Sequence, residues 1–306
     1  MKILVIFTGG TIGSKENDGW IAPNSTTRSL LINTYKQNSS DDIVFDTVTP
    51  YEILSENLDA DNLTALIDCL FDNSYKGYDG IIVCHGTDTL QYSSAAAAYC
   101  LGFDVCPVVF VSANYPLNNK KTNGHTNFKA AVQFIKSGNR GVFVSYSNDL
   151  KTADIHLAHK LFAHREYEHQ VFSMGGPVAV FKDGGVEVLK KQSDQCITPF
   201  GRVNFAKHPG ILNITVTPFE EYNYNLKGVK AVVLTPYHSG TVNTKSPAFV
   251  EFCKKAKQAK IPIVLTGVSD ESLYESMQTY SELGVEVLKN TTQTAARVLL
   301  WIKLSL

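Results

Sequence analysis

Two short segments carry hydroxyls and a carboxylate in an arrangement that suits acyl transfer. Thr8-Gly9-Gly10-Thr11-Ile12-Gly13 follows the apolar run Ile3–Phe7, and His85-Gly86-Thr87-Asp88-Thr89 follows Gly80-Ile81-Ile82-Val83-Cys84. A threonine hydroxyl is a poor nucleophile until a base removes its proton, so hydroxyls paired with an aspartate, and with a lysine to carry protons, suit that chemistry. Glycines in the first segment let a ligand approach the backbone closely and leave amide N–H groups free as donors. Its spacing is neither GxGxxG nor a phosphate loop, since no Lys-Ser or Lys-Thr pair follows, and nucleotide binding is the weaker reading. Taken alone, Thr87 and Asp88 could equally cap the alanine-rich helix expected over Ser93–Tyr99.

The elements that must position these residues are legible in the hydropathy pattern. Short, β-branched apolar runs recur at Ile3–Phe7, Ile81–Cys84, Val108–Val111, Val142–Val144, Ala231–Leu234 and Ile263–Leu265, as strands buried on both faces do. Between them, Leu63, Leu66, Ile67 and Leu70, then Phe128, Ala131, Val132 and Ile135, then Phe249, Phe252, Cys253 and Ala256 follow helical spacing. The alternation predicts an α/β fold: a larger N-terminal, open, flavodoxin-like and mostly parallel sheet with helices on both faces, plus a smaller C-terminal α/β domain ending in a helix around 295–304. Ligands in such sheets bind beyond the carboxyl ends of the strands. Periodicity lapses from about Gly184 to Gly210, through Gly-Gly, the charged Lys190–Asp194 and two prolines. The expected division is a catalytic domain over 1–188, a linker over 189–209 and a second domain over 210–306.

Composition narrows the function classes. The chain has 306 residues, 28 basic against 29 acidic side chains and a formal net charge of −1, without the basic footprint of a nucleic-acid binder. No run approaches the roughly 18 apolar residues that span a membrane. The N-terminal apolar run reads as a first strand and not as a signal peptide. Six cysteines are scattered without a CxxC and sit mostly inside apolar runs, which suits buried, reduced thiols in the cytoplasm. His156, His159 and His164 cluster, but no HExxH or cysteine partner accompanies them; a surface loop is expected, with no metal. The 14 tyrosines and 16 phenylalanines are spread through strand and helix positions, as core and interface material and not as a stacking platform for bases.

Together, Thr8-Gly-Gly-Thr11-Ile and His85-Gly-Thr87-Asp88-Thr89 resemble the two signatures of the bacterial-type L-asparaginase family. The resemblance extends to Thr49-Pro50 with Leu54-Ser55-Glu56-Asn57-Leu58, to Ala113-Asn114-Tyr115-Pro116 with Asn123-Gly124 and Asn127, and to Tyr237-His238-Ser239-Gly240-Thr241-Val242-Asn243. It therefore covers essentially the whole chain. It implies hydrolysis of L-asparagine to L-aspartate and ammonia through an acyl-threonine intermediate, without metal or organic cofactor. Thr11 matches the nucleophile; Thr87 and Asp88 match the second threonine and its aspartate, which act with a lysine. Lys160 is the first candidate for that lysine and Lys151 the second. Asp88 would also take the substrate α-ammonium, Ser55 the α-carboxylate, and Glu56 occupies a substrate-contacting position. Asn243 matches a residue lent by a neighbouring subunit, which implies a homodimer or homotetramer.

Two departures from the family pattern stand out. The family's loop tyrosine is replaced within Asp18-Gly19-Trp20-Ile21, and tryptophan has no phenolic oxygen to accept or carry a proton. An aspartate before the glycine of the third motif is Asn123 here. His85 is expected to orient its loop and not to act as a base. Two rival readings remain: a catalytically weakened amino-acid-binding or regulatory protein, and a glutamine-dependent tRNA amidotransferase D-type subunit. The latter is disfavoured by a chain that starts at the first strand with no basic surplus.

Overall fold

The computed structural model describes residues 1–17, 20–23, 25–74, 76–164, 168–190, 197–268 and 273–306. Asp18, Gly19, Lys191 to Asp194 and Cys196, singled out above, lie outside them. The described chain divides into two compact units, Met1–Phe205 and Ala206–Leu306.

The first unit contains strands β1 (Lys2–Phe7), β2 (Ser14–Asn17), β3 (Trp20–Pro23), β4 (Val44–Val48), β5 (Gly80–Cys84), β6 (Val108–Val111), β7 (Val142–Tyr146), β8 (Ala153–Leu157), β9 (Ala179–Lys182) and β10 (Gly185–Val188). Its helices are α1 (Ser25–Gln37), α2 (Ala60–Ser74), α3 (Leu90–Leu101) and α4 (Gly124–Lys136). The main sheet runs β10-β9-β8-β7-β6-β5-β1-β4, with β4, β1, β5, β6 and β7 parallel and β8, β9 and β10 successively antiparallel. Counted among the parallel strands alone, the order is the flavodoxin-like 2-1-3-4-5, whose ligand crevice opens where the order reverses. Here that point lies between β1 and β5, the two strands that lead into the threonine motifs.

Burial explains why the apolar runs became strands. Ile3, Val5 and Phe7 pack with Phe128, Ala131 and Val132 of α4 on one face, while Leu4 and Ile6 are equally buried on the other. The spacing in α2 holds as well, because Leu63, Leu66, Ile67 and Leu70 are all fully buried. Where the periodicity lapses, Gly185–Val188 pairs with β9 as an edge strand at the end of the span expected to form the first domain. Residues after 197 return to the first unit: Phe200 and Gly201 donate backbone N–H groups to Tyr99 and Cys100 carbonyls, Arg202 pairs with Asp68 and Asp72, and Phe205 N–H donates to Thr64 Oγ1.

The second unit is a parallel sheet of β11 (Ile211–Thr215), β12 (Ala231–Thr235), β13 (Ile263–Val268) and β14 (Val285–Lys289) in sequence order. Helix α5 (Pro247–Gln258) buries Phe249, Phe252, Cys253 and Ala256, and α6 (Gln293–Lys303) packs along β11, β12 and β13. Ser246 Oγ accepts from Phe249 N–H ahead of Pro247, and Thr292 Oγ1 accepts from Ala295 N–H, so both helices start with side-chain caps. Among the described residues no helix is long and apolar enough to cross a membrane.

Removing the Thr292 cap in Thr292→Ala is expected to lower stability by about 1 kcal/mol, read as a shift in the urea midpoint of the transition that includes α6.

Candidate active site

Three loops meet beyond the carboxyl ends of β1 and β5. Thr8, buried after β1, donates through both its N–H and its Oγ1 to Cys84 O, so its hydroxyl is structural. Gly9 and Gly10 have φ of 102° and 71°, a region that glycine enters without strain. A Cβ on Gly9 would stand 2.1 Å from Ile53 O, and one on Gly10 would stand 2.2 Å from the Gly86 Cα. The two motif loops therefore touch backbone to backbone. Ile53 N–H donates to Thr8 O and Gly10 N–H to Ile53 O, which adds the 53–57 loop as a third rail. Thr11 follows on the short 3-10 turn Thr11–Gly13, half-buried.

The second motif uses its polar side chains across loops and not on its own helix. Thr89 is the N-cap position of α3, yet no side-chain cap bond forms there. Its Oγ1 donates to Ser55 O at 2.9 Å, and Ser55 Oγ donates to Asp88 Oδ2 at 3.1 Å. Capping therefore does not account for Asp88. Among the described residues the hydroxyls of Thr11 and Thr87 have no protein hydrogen-bond partner. Ser55 is buried, Asp88 exposed and Thr87 half-buried. His85 is buried and its Nδ1 lies 2.8 Å from Gly86 O; a carbonyl only accepts, so Nδ1 carries the proton. Burial pulls the His85 pKa down to about 4, outweighing that bond, and the ring is neutral at pH 7.

Lys160 ends the 3-10 turn Ala158–Lys160 after β8. It is half-buried, and burial lowers its pKa from the ordinary lysine value; but β8 ends with Leu157 opposite Phe143 at the start of β7, and the adjacent His159 packs at the C-terminal end of α3, so the structure does not bring Lys160 to the threonine loops. Its carbonyl accepts from Met174 N–H, Leu161 bridges to Ser173, and Phe162 N–H donates to Phe172 O. These bonds pair 160–162 with 172–174, and burial lowers the pKa of His164 in the segment that follows. Lys151, by contrast, is exposed on the turn organised by Asp149. The surface-loop expectation for the histidines is corrected: His156 and His159 are buried, with His156 Nδ1 2.7 Å from Ser173 Oγ and the His159 ring against Tyr99 and Phe103. Among the described residues no group of three or more potential ligands is placed to hold a metal.

Glu56 is exposed beside Ser55, and Trp20 is 80% exposed, paired with Asn17 in the β2–β3 hairpin. Asn243 belongs to the second unit, exposed on the loop after Val242, where its Oδ1 accepts from Lys245 N–H. The first unit thus brings Thr11, Ser55, Thr87 and Asp88 onto three touching loops.

Residues 2–193 match the family described as Asparaginase, N-terminal. The chain belongs to the asparaginase family. An L-asparaginase of Thermococcus kodakarensis is 23% identical over 98% of this chain and 92% of its own length. The solved structure of the thermostable L-asparaginase from that organism superposes with a TM-score of 0.81 at 22% identity, covering 100% of this chain and 93% of the other. L-asparaginase I of Vibrio cholerae gives 0.78 at 20% identity over 99% and 92%. A D-type subunit of glutamyl-tRNA(Gln) amidotransferase from Methanosarcina acetivorans is 26% identical over 98% of this chain and 74% of its own length. These structural likenesses establish the fold, and the family that of an amidohydrolase scaffold.

On this family scaffold, a neutral network unforeseen in the sequence holds the neighbouring strand ends. Asn123, the N-cap of α4, and Asn127, in its first turn, lie four residues apart. Asn123 Oδ1 accepts from Asn114 N–H and its Nδ2 donates to Ser147 O, both at 2.9 Å. Asn127 Nδ2 donates to Ser112 O and its Oδ1 accepts from Ser147 N–H. Position 123 faces a carbonyl that needs a donor, which an ionised aspartate does not supply. The recurrence of asparagine at a four-residue interval was the available sequence signal.

Gly10→Ala combines a left-handed backbone with a clash against Gly86, and is expected to cost about 2–5 kcal/mol, measured by urea unfolding. Asn123→Asp is expected to cost about 1–3 kcal/mol or more at pH 7. Burial and Ser147 O favour the protonated acid in the folded state, so its folded pKa lies above the unfolded value. The deficit should therefore shrink as pH falls through the folded pKa, when the carboxyl regains a proton to donate. Unfolding curves at pH 7 and at about pH 5 check this sign.

Proposed function

We propose that this protein hydrolyses L-asparagine to L-aspartate and ammonia, with Thr11 as nucleophile. The observation that carries the reading is the convergence of both threonine motifs and Ser55 at the β1/β5 switch point, with the Ser55–Asp88 hydrogen bond in place and the Thr11 and Thr87 hydroxyls unspent on the protein. Thr11 Oγ attacks the side-chain amide carbon and yields its proton to Thr87 and Asp88 acting together. Backbone N–H groups of the motif loops stabilise the tetrahedral oxyanion. The C–N bond breaks as the nitrogen takes up a proton and leaves as ammonia, giving an acyl-Thr11 ester. Water, deprotonated by the same group, then adds to the ester and releases aspartate with restoration of the Thr11 hydroxyl.

Substrate selection rests on two charges. Asp88 takes the α-ammonium, and Ser55, turning its hydroxyl away from Asp88, donates to the α-carboxylate. Glu56 lies next to it on the rim. Asn243 of a neighbouring copy completes the site in a homodimer or homotetramer, and the enzyme works in the cytoplasm without a metal or organic cofactor. The amidotransferase relatives favour a second reading, release of ammonia from glutamine. Asparagine and glutamine differ by one methylene, worth about 1–3 kcal/mol in a fitted pocket, so the two readings separate on the ratio of kcat/KM for the two amides.

Purified protein is expected to release ammonia from L-asparagine in preference to L-glutamine, and Thr11→Ala and Thr87→Val each to lose roughly a thousandfold or more in kcat with unfolding curves unchanged. Full activity in either variant removes that threonine from the mechanism, and preference for glutamine favours the second reading. Trp20→Tyr places a phenol on the hairpin and is expected to raise kcat by about tenfold or more; unchanged kcat means that the hairpin does not deliver position 20 to the reacting atoms.

A further inference from the structure

Ser14 stands where the turn that carries Thr11 ends and the β2–β3 hairpin begins, opposite Pro23 in the hairpin register and with no exposed surface. Its two donors close on the carbonyls either side of Thr11. The side-chain Oγ donates to Gly10 O at 2.7 Å, and the backbone N–H donates to Thr11 O. Gly10 O also accepts from Gly13 N–H at 3.0 Å. A serine hydroxyl that bonds a carbonyl four residues back is a local alternative to regular secondary structure, and here it closes around the residue read as the nucleophile. Both peptide planes that meet at the Thr11 Cα are thus held by Ser14.

Gly10 explains why they need holding. Its φ of 71° and ψ of −178° lie in a region that is essentially glycine's alone, and glycine, lacking a Cβ, leaves that region for others with little resistance. Counter-rotation of Gly10 ψ and Thr11 φ would flip the peptide plane between them. A trans peptide sets its C=O and N–H on opposite sides, so a Gly10 carbonyl bonded to Ser14 Oγ directs the Thr11 N–H away from Ser14. Among the described residues no protein atom accepts from that N–H. On the other side Gly10 N–H is fixed on Ile53 O, which leaves the Gly10–Thr11 peptide as the joint that the Ser14 hydroxyl closes.

We propose that Ser14 is a positioning residue for the nucleophile: its hydroxyl holds the Gly10–Thr11 peptide in the orientation that leaves the Thr11 N–H and Oγ both free for the substrate. This rests on the asparaginase reading and deepens it. Ser55 and Asp88, which take the two substrate charges in that reading, belong to the other two loops and bond each other, so loss of the Ser14 hydroxyl leaves them in place. The cost falls on the step in which Thr11 attacks, where a displacement of about 1 Å is worth about a hundredfold, and not on substrate binding.

Ammonia release from L-asparagine by wild type, Ser14→Ala, Ser14→Val and Ser14→Thr, with an unfolding curve for each, tests this. Valine and threonine are alike in bulk and differ in the hydroxyl, so that pair separates the hydrogen bond from packing at a buried place. Ser14→Ala and Ser14→Val are expected to lose about tenfold or more in kcat with KM changed by less than about twofold, and Ser14→Thr to keep most of the wild-type kcat. Should the valine variant not fold, Ser14→Ala against Ser14→Thr decides. Wild-type kcat in Ser14→Ala overturns the role of Ser14 and leaves the asparaginase reading standing. An equal loss in the threonine variant, which assigns the effect to packing, does the same, as does a loss confined to KM. Absence of ammonia release from the wild type overturns both.

Discussion

Backbone contact between Gly10 and Gly86 is the constraint from which the rest of the site follows. With no side chain on either residue, the loops leaving β1 and β5 close on each other at the reversal of strand order, and every other polar contact is built outward from that seam. Ile53 threads beside Gly9 because a side chain there would strike its carbonyl. Ser55 can then reach both Thr89 and Asp88. A β-carbon at the seam would force the loops apart, and Ser55 would lose partners on which its buried hydroxyl relies.

Around the seam, the protein keeps its buried polar groups neutral and leaves its carboxylates, Asp88 and Glu56, exposed. His85 is uncharged and bonded to its neighbour's carbonyl, and the strand ends of β6 and β7 are tied by asparagine amides that both donate and accept. A buried charge needs compensation from a partner or from water, whereas an amide matches a backbone N–H and C=O pair with no net charge. Asp88 is thereby left as the carboxylate of the second motif loop, exposed and bonded to Ser55.

Much of this was legible in advance because parallel strands buried on both faces read as continuous apolar runs, and helices such as α2 show their period directly. The two motifs were legible because chemistry restricts which side chains can stand there. The antiparallel extension was less so: Ala153–Leu157 carries Asp154 and His156, and those polar side chains interrupt the apolar signal even though His156 is buried against Ser173. The segment after residue 197 looks like a linker by composition, but Arg202 and the backbone of 200–205 are satisfied by α2 and α3, partners far away in the chain. Such pairings leave no local pattern. For the same reason the sequence showed two hydroxyls in the first loop, while only the fold distinguishes Thr8, spent on Cys84, from Thr11.

The reversal at β8 also explains why the lysine and histidines resisted assignment from motif position. A residue following a parallel strand arrives at the carboxyl edge directly, as Thr11 and Thr87 do. Antiparallel β8 leaves beside the start of β7, with Leu157 opposite Phe143, so the chain must turn and travel back to the open edge. The return leg is the hairpin that pairs 160–162 with 172–174, held by Ser173 against His156 and by Tyr146 against His169. Spacing along that leg answers to the pairing of 160–162 with 172–174 and not to any strand end. Placement of this segment is therefore a tertiary property: it depends on hydrogen bonds between residues 17 and 23 positions apart, one buried and one partly so, which sequence periodicity does not record.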